Sequence, residues 1–207
     1  MLASAHITTV YFITKNCRIH SIGGDWNAHA EENHAFQLSA DSVVNTLLWE
    51  YFTEPFLIHT YHTMVDHVFK TGEPVTVPFR GDSPGWRRTM KLRILRSNHD
   101  LCEFICSTQD AEPREWVRLL DVTAERSSYW LPMCSWCKQV GVDETRWLEV
   151  EEAQFELEES ECVPYPNLVH AVCPDCQVAI GELIPGNEKR SRHNTRHWSG
   201  GKVRMGV

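Results

Sequence analysis

The stretch VTVPFRGDSPGWRRTMKLRILRSNHDLCEFICST, residues 75–108, decides how the first half of this chain folds. Val75, Val77 and Phe79 alternate with polar neighbours, and Trp86, Arg88, Met90, Leu92 and Ile94 share a face opposite Arg87, Thr89, Lys91 and Arg93. Residues 101–108 follow the turn-forming Ser97-Asn98-His99-Asp100. A period of two marks half-buried strands, so three consecutive strands are predicted. Just before them Phe56, Leu57, Tyr61, Met64, Val65, Val68 and Phe69 recur near a 3.6-residue period, with Pro55 suited to the first helical turn and Gly72 to the stop. Residues 26–38 and 43–52 also read as helical, and residues 10–14 and 17–22 as short β-rich runs joined at Lys15-Asn16. Two strands, several helices and three strands are satisfied by an α+β fold. Its five-stranded antiparallel sheet carries the helices on one face, so that each element buries its apolar side.

Beyond residue 130 the informative residues are cysteines. Cys134/Cys137 and Cys173/Cys176 each place two thiols on one tight turn, and 35 residues separate the pairs. Two such turns can converge into a tetrahedral Zn²⁺ shell with Zn–S bonds of about 2.3 Å. The interval exceeds the usual ribbon spacing, so a metal would clamp an inserted element into a small module. Pro174 suits the start of a short helix whose N-terminal amides favour thiolate charge. Four thiolates leave a doubly negative zinc centre, for which amide hydrogen bonds to sulfur matter. His170 is either an alternative fourth ligand, displacing one cysteine, or a donor to a ligating sulfur; Cys162 is a further substitute. The four-cysteine shell is preferred because a closed all-thiolate site needs nothing else. Such a site is structural and by itself implies no catalysis.

Disulfides, a redox dithiol or an iron centre are the competing readings of these cysteines. Residues 1–14 lack the basic start, long apolar run and small-residue cleavage site of a signal peptide, so a cytoplasmic, reducing location is expected. Leu131-Pro132-Met133 before Cys134 and Gly141 after it resemble a knuckle loop more than the strand–helix setting of a thioredoxin-like motif. No apolar run approaches the roughly 20 residues a membrane helix requires. At 207 residues and 42% apolar, with eight Trp and eight Phe, the chain can bury a sizeable core. Its net charge of −8 is uneven: residues 1–110 carry 9 basic and 12 acidic side chains, residues 111–180 carry 5 and 14, and residues 181–207 carry 6 and 2. These blocks suggest two modules and a tail.

Three groups of residues resemble a PAS domain: Trp26-Asn27-Ala28-His29-Ala30, Leu48-Trp49-Glu50-Tyr51-Phe52, and Phe79 to Pro84 with Arg87-Arg88. The chain looks like a bacterial PAS subgroup in which the domain precedes a cysteine module. There a Cys-Ser-Trp-Cys-Lys-like start leads to a Trp and an acidic helix, then to a His-x2-Cys-Pro-x-Cys end. Here those are Cys134 to Lys138, Trp147 with Glu149 to Glu152, and His170 to Cys176. The resemblance covers roughly residues 8–180 and is specific in the cysteine part. It implies a sensory or protein-interaction module with a ligand pocket or a dimerisation role, although fold alone does not settle function. The expected organisation is a PAS-like domain at 8–110, a connecting helix within 111–130, a zinc-binding module at 131–184, and a disordered basic tail at 185–207.

Within that frame, the histidines His59, His62 and His67 on the long helix raise haem, but registering on Thr71-Gly72 puts the family's axial position near Tyr61. Asn16-Cys17-Arg18-Ile19 looks like the photoreactive motif of flavin light sensors, yet it sits beside the second strand instead of on a central helix. Neither haem nor flavin is therefore expected. Arg80, Arg87, Arg88, Lys91, Arg93 and Arg96 form a basic strand region, either a solvated face or a receiver for the acidic insert. Residues 149–161 carry seven glutamates opposite Trp147, Val150, Ala153 and Leu157, which reads first as a solvated helix face. Glu112-Pro113 is read as opening a helix over 113–122, with Trp116, Leu119 and Leu120 on one face. That helix, or the PAS sheet, is the expected homodimer contact. The acidic balance disfavours nucleic acid. The resulting expectation is a non-enzymatic regulator with a protein partner and structural zinc; a thiol/zinc switch is the alternative.

Overall fold

The computed structural model describes residues 5–52, 54–160 and 164–183. Cys162 and the basic tail 185–207 lie outside the described residues. The first sheet contains β1 (Thr8–Thr14), β2 (Ile19–Gly24), β3 (Val75–Arg80), β4 (Trp86–Arg96) and β5 (Leu101–Pro113). They are ordered β2-β1-β5-β4-β3 and every pairing is antiparallel. β4 buries Arg88, Met90, Leu92 and Ile94, the alternate residues that the period of two selects. The helices α1 (Trp26–Glu32), α2 (Ala40–Val43) and α3 (Pro55–Thr71) lie between β2 and β3 in the chain and cover one face of the sheet. Strand order and helix placement together make this lobe PAS-like.

The longest helix is delimited by local chemistry. The Glu54 carboxylate accepts the Leu57 N–H at 2.7 Å and Pro55 occupies the first turn. Gly72 closes the helix in the left-handed region (φ +76°), its N–H on the Val68 carbonyl at 2.9 Å. Leu57, Thr60, Met64, Val65 and Val68 form the buried stripe. The two shorter predicted helices are more broken than their apolar pattern suggests. The 26–38 run stops at Asn33-His34, where His34 is left-handed (φ +51°), and resumes as a 3₁₀ turn at Phe36–Leu38. In the 43–52 run, the Asn45 and Leu48 amides donate to the Ile19 and Cys17 carbonyls. Pairing with the entry to β2 thus replaces helix continuation, and only a 3₁₀ turn at Leu48–Tyr51 remains.

The second lobe contains β6 (Arg126–Cys134), β7 (Val140–Gly141), β8 (Trp147–Leu148), α4 (Val150–Glu159), β9 (Tyr165–Ala171) and α5 (Pro174–Leu183). Its sheet is ordered β8-β7-β6-β9, and β6 runs parallel to β9. Parallel neighbours require a crossover of a dozen or more residues. The β7–β8–α4 insert supplies it, which accounts for the long interval between the cysteine pairs. Val117, Leu119, Val140, Val150, Ala153 and Tyr165 form a small core beneath this sheet.

The connecting helix expected over 113–122 does not form. β5 continues to Pro113, opposite Trp86, and only Arg118–Leu120 makes a 3₁₀ turn. The Arg114 and Val117 amides donate to the Gly85 and Pro84 carbonyls, so the segment spends its donors on the β3–β4 connection and not on itself. Leu119 is buried as the spacing implies, but Val117 is buried beside it and Trp116 is 56% exposed. A dimer contact through a 113–122 helix is therefore ruled out as a helix–helix contact.

An ion network joins the lobes. The fully buried Asp82 carboxylate accepts from Arg80 Nε at 2.9 Å and Arg114 Nη1 at 3.1 Å. Arg80 and Arg87 reach Glu149, and Arg87 and Arg114 reach Glu151. Part of the acidic face of α4 is thus docked on the basic strands, not solvated. Acidic residues in the first helical turn also meet the positive end of the α4 dipole. Asp82→Asn removes the buried charge shared by Arg80 and Arg114 and leaves them only Glu149 and Glu151, so a loss of about 3 kcal/mol, the low end for a broken buried pair, is expected. Urea unfolding checks this: the midpoint falls at unchanged slope, and an unaltered midpoint would show that the network contributes nothing.

Candidate metal centre

The parallel register of β6 and β9 sets Cys134 opposite Ala171. The chain leaves both strands at the same end, and the Ser135 amide extends the ladder to the Ala171 carbonyl at 2.9 Å. Each strand then enters a Cys-x2-Cys turn, so the two turns lie side by side. The sulfurs of Cys134, Cys137, Cys173 and Cys176 all fall within 4.8 Å of one another. Cys137 Sγ and Cys173 Sγ are 3.7 Å apart. A tetrahedral zinc–thiolate centre with bonds of about 2.3 Å separates neighbouring sulfurs by about 3.8 Å. The donor set and its spacing fit such an ion. Cys134 and Cys173 are buried, and Cys137 and Cys176 are half-buried.

Backbone amides surround the cluster. Cys134 Sγ accepts from the Cys137 and Cys173 amides, the latter at 3.4 Å; Cys137 Sγ accepts from the Gln139 amide. The Cys173 thiol stands immediately before Pro174 and accepts the Cys176 amide, the role a capping side chain plays at a helix start. The first turn is closed by the Cys134 amide on the Gln139 carbonyl at 2.7 Å and the Lys138 amide on the Cys134 carbonyl at 3.0 Å. Lys138 takes the left-handed conformation this turn needs (φ +66°).

The four thiols hold charge unequally. Thiol hydrogen bonds from Cys137 and Cys173 hold Cys134 well below the usual thiol range. Their bonds to Cys134 push Cys137 and Cys173 upward in turn. Burial, with the charge on Cys134 and Cys137 added, pushes Cys176 up to about 12. One thiolate in the group therefore resists the next. A divalent cation at the centre removes that resistance by taking the place of the protons.

His170 does not belong to the sulfur group. Its Nδ1 lies 3.1 Å from Ser135 Oγ, on the side facing the PAS-like lobe. His59, His62 and His67 line a shallow surface hollow on the outer side of α3, and His62 stacks on Trp49 at 3.9 Å between centroids. Tyr61, at the position registered for an axial ligand, instead packs among Phe52, Phe104 and Trp136. Cys17 is buried at the β1–β2 turn with φ +57°.

Trp136 is the residue whose importance spacing did not reveal. It lies within the first cysteine turn, 8% exposed, with its ring in the core of the PAS-like lobe. Its indole N–H donates to the Pro78 carbonyl at 2.7 Å, and its own carbonyl accepts the Arg80 amide at 2.7 Å. Both partners lie on β3, the sheet edge. Proline inside a strand marks an edge, and that was the available signal.

No protein-family model matches the chain, and no curated protein is significantly similar to it. Solved structures similar to about half of the chain include the following three. A domain of an HTR-like protein from Haloarcula marismortui ATCC 43049 shares 13% identity over 49% of this chain and 97% of that one, with a TM-score of 0.36. The PAS domain of the Cronobacter turicensis RpfR quorum-sensing receptor in complex with C12:0 shares 16% identity over 53% and 97%, with a TM-score of 0.35. The same domain in complex with BDSF shares 13% over 53% and 97%, with a TM-score of 0.33. Similarity this remote carries no functional argument, and the PAS-like description rests on strand order and helix placement.

Trp136→Phe keeps an aromatic ring in the core and deletes only the indole hydrogen bond, so a loss of about 1 kcal/mol is expected. Trp136→Ala also empties the site and should cost about 3–5 kcal/mol. Denaturant unfolding of the two variants separates docking by hydrogen bond from docking by packing.

Proposed function

We propose that this protein is a cytoplasmic, non-enzymatic PAS-type regulator that acts by binding a protein partner. In this reading Cys134, Cys137, Cys173 and Cys176 hold a structural Zn²⁺ that fixes the second lobe. The observation that carries the proposal is the convergence of four sulfurs from two strand ends into one amide-lined group. A closed all-thiolate shell leaves no open coordination position for substrate, which supports a structural and not a catalytic ion. The small second core supports the same reading, because a lobe with few buried side chains benefits from a metal cross-link. Zinc would supply rigidity only: it ties the ends of β6 and β9 together and holds Trp136 against β3.

A protein partner, including a second copy meeting through the first sheet, is supported by the PAS-like architecture and by exposed aromatic side chains on β6. Tyr129 is 71% and Trp130 48% exposed. Among the described residues no helix is long and apolar enough to cross a membrane. The half-exposed positions of Cys137 and Cys176 favour one alternative, a thiol/zinc switch in which oxidation releases the metal and frees the second lobe.

Native mass spectrometry and elemental analysis of the purified protein test the proposal. About one zinc per chain is expected, lost in Cys173→Ser together with a fall in thermal midpoint. Well under one metal per chain, with all four thiols reduced, would overturn it. Mild peroxide separates the readings: zinc ejection with a change in subunit number supports the switch, and retention supports the structural role.

A further inference from the structure

The two sheets end in the edge strands β2, β3, β8 and β9, and the first three are engaged or short. β3 is held at Pro78 and Arg80 by Trp136. β2 is met where it begins: Ile19 exchanges backbone bonds with Asn45 and Thr46, and Arg18 bridges Leu47. β8 has two residues and leads at once into α4. β9 differs, because it spans seven residues and pairs with β6 alone among the described residues. An open edge presents a row of free amides and carbonyls, which proteins usually blunt with charge or proline. Pro164 and Pro166 guard only the start of β9. From Asn167 to Val172 the sequence carries no proline and no Asp, Glu, Lys or Arg.

The register identifies the free groups. The Ser135 amide donates to the Ala171 carbonyl, and the bonds of a parallel strand fall on alternate residues. Asn167, Val169 and Ala171 therefore direct their backbone groups to β6, and Leu168 and His170 turn theirs to the open side. Side chains alternate as well. Leu131, Met133 and Leu168 pack on the small core, so the register partners Pro132 and Val169 stand on the opposite face, with Trp130 and Asn167. Val169 is half-buried and belongs to neither core, and Trp130 is exposed.

An antiparallel second copy closes this edge with itself. When Val169 lies opposite Val169 of the second copy, Leu168 opposes His170 and His170 opposes Leu168. Each free amide then meets a free carbonyl, and the central Val169 pair is of the kind that exchanges no bonds and brings side chains closest. The row across the joined sheets reads Pro132, Val169, Val169, Pro132. Its neighbours read Trp130, Asn167, Ala171, Cys134 on one side and Leu131, Leu168, His170, Met133 on the other. No row sets like charges together, and the small Ala171 leaves room for the Trp130 ring above Asn167. A two-fold contact requires such a self-complementary patch, which the acidic face of α4 could not supply. We propose that this protein self-associates through β9, two copies joining their second sheets edge to edge about a two-fold axis at Val169. The inference rests on the protein-partner reading above; it names a second copy as the partner and the second sheet, not the first, as the contact.

Sedimentation equilibrium of the full, metal-analysed chain over a dilution series tests this. The wild type should form a dimer that dissociates on dilution. Val169→Lys and Val169→Glu each put like charges face to face at the axis and should weaken self-association about tenfold or more. Mixing the two variants opposes Lys to Glu and should restore the dimer. Hydrogen exchange of the wild type gives a reading free of variants: the Leu168 and His170 amides should be protected in concentrated samples and exchange faster on dilution. A wild type that is monomeric at every concentration overturns the inference. So does a dimer insensitive to both substitutions, the outcome if copies meet through the first sheet, and so does exchange at Leu168 and His170 that ignores dilution. Zinc content of the same samples keeps the readings apart. A zinc-loaded monomer refutes the β9 contact alone, whereas a zinc-free, reduced dimer refutes the metal assignment alone.

Discussion

Parallel pairing of β6 with β9 is the constraint on which the second half of the molecule depends. Antiparallel neighbours would send the two strand ends in opposite directions and separate the cysteine turns. The parallel register brings Cys134 alongside Ala171, and the chain need advance only two residues to add Cys173 to the same corner. The topology has a cost in chain length, since the polypeptide must return to the starting edge. The acidic insert pays that cost and is used twice, because the start of α4 also supplies Glu149 and Glu151 to the basic strands of the first sheet.

The junction between the lobes combines three interactions of different kinds. Trp136 contributes apolar burial plus one indole and one backbone hydrogen bond to an edge strand, Asp82 collects two guanidinium groups in a dry setting, and Cys134 and Cys173 share the buried cluster that holds Trp136. Cys134, Trp136, Val172, Cys173 and Ile180 belong to the same buried cluster as the sheet and α3. The cysteine lobe is therefore not an appendage with an independent interior. Its knuckle end is an extension of the PAS-like core, and only the far side, beneath β7 and α4, has a core of its own. This docking engages the Pro78 carbonyl and the Arg80 amide of edge strand β3, two backbone groups that the sheet leaves unpaired.

A cavity lies between the lobes and is lined from both. A molecule held where both lobes contribute walls shifts their association only by the difference in its affinity for the docked and undocked arrangements. The sulfur group and the cavity share one structural element, the turn from Cys134 to Lys138.

By itself the sequence determined those features governed by local periodicity and short-range chemistry. The strands of the first sheet follow from the alternation of residues 75–94, α3 from its apolar stripe with Glu54, Pro55 and Gly72 at its ends, and the cysteine turns from their spacing. Tertiary structure decided wherever backbone donors had a better distant partner than a local one. Residues 114–117 bond to the β3–β4 connection instead of forming a helix, and residues 45–48 bond to the entry of β2. It also decided which charges matter. Nothing in a run of glutamates distinguishes Glu149 and Glu151 from their solvated neighbours until β3, β4 and Arg114 meet them. The role of Trp136 was likewise hidden, because a tryptophan between two cysteines reads as part of a metal turn, and only the exposed carbonyl of an edge proline in another sheet turns it into a clasp. Spacing along the chain encodes contacts a few residues away; contacts between remote segments depend on a geometry that exists only once both have folded.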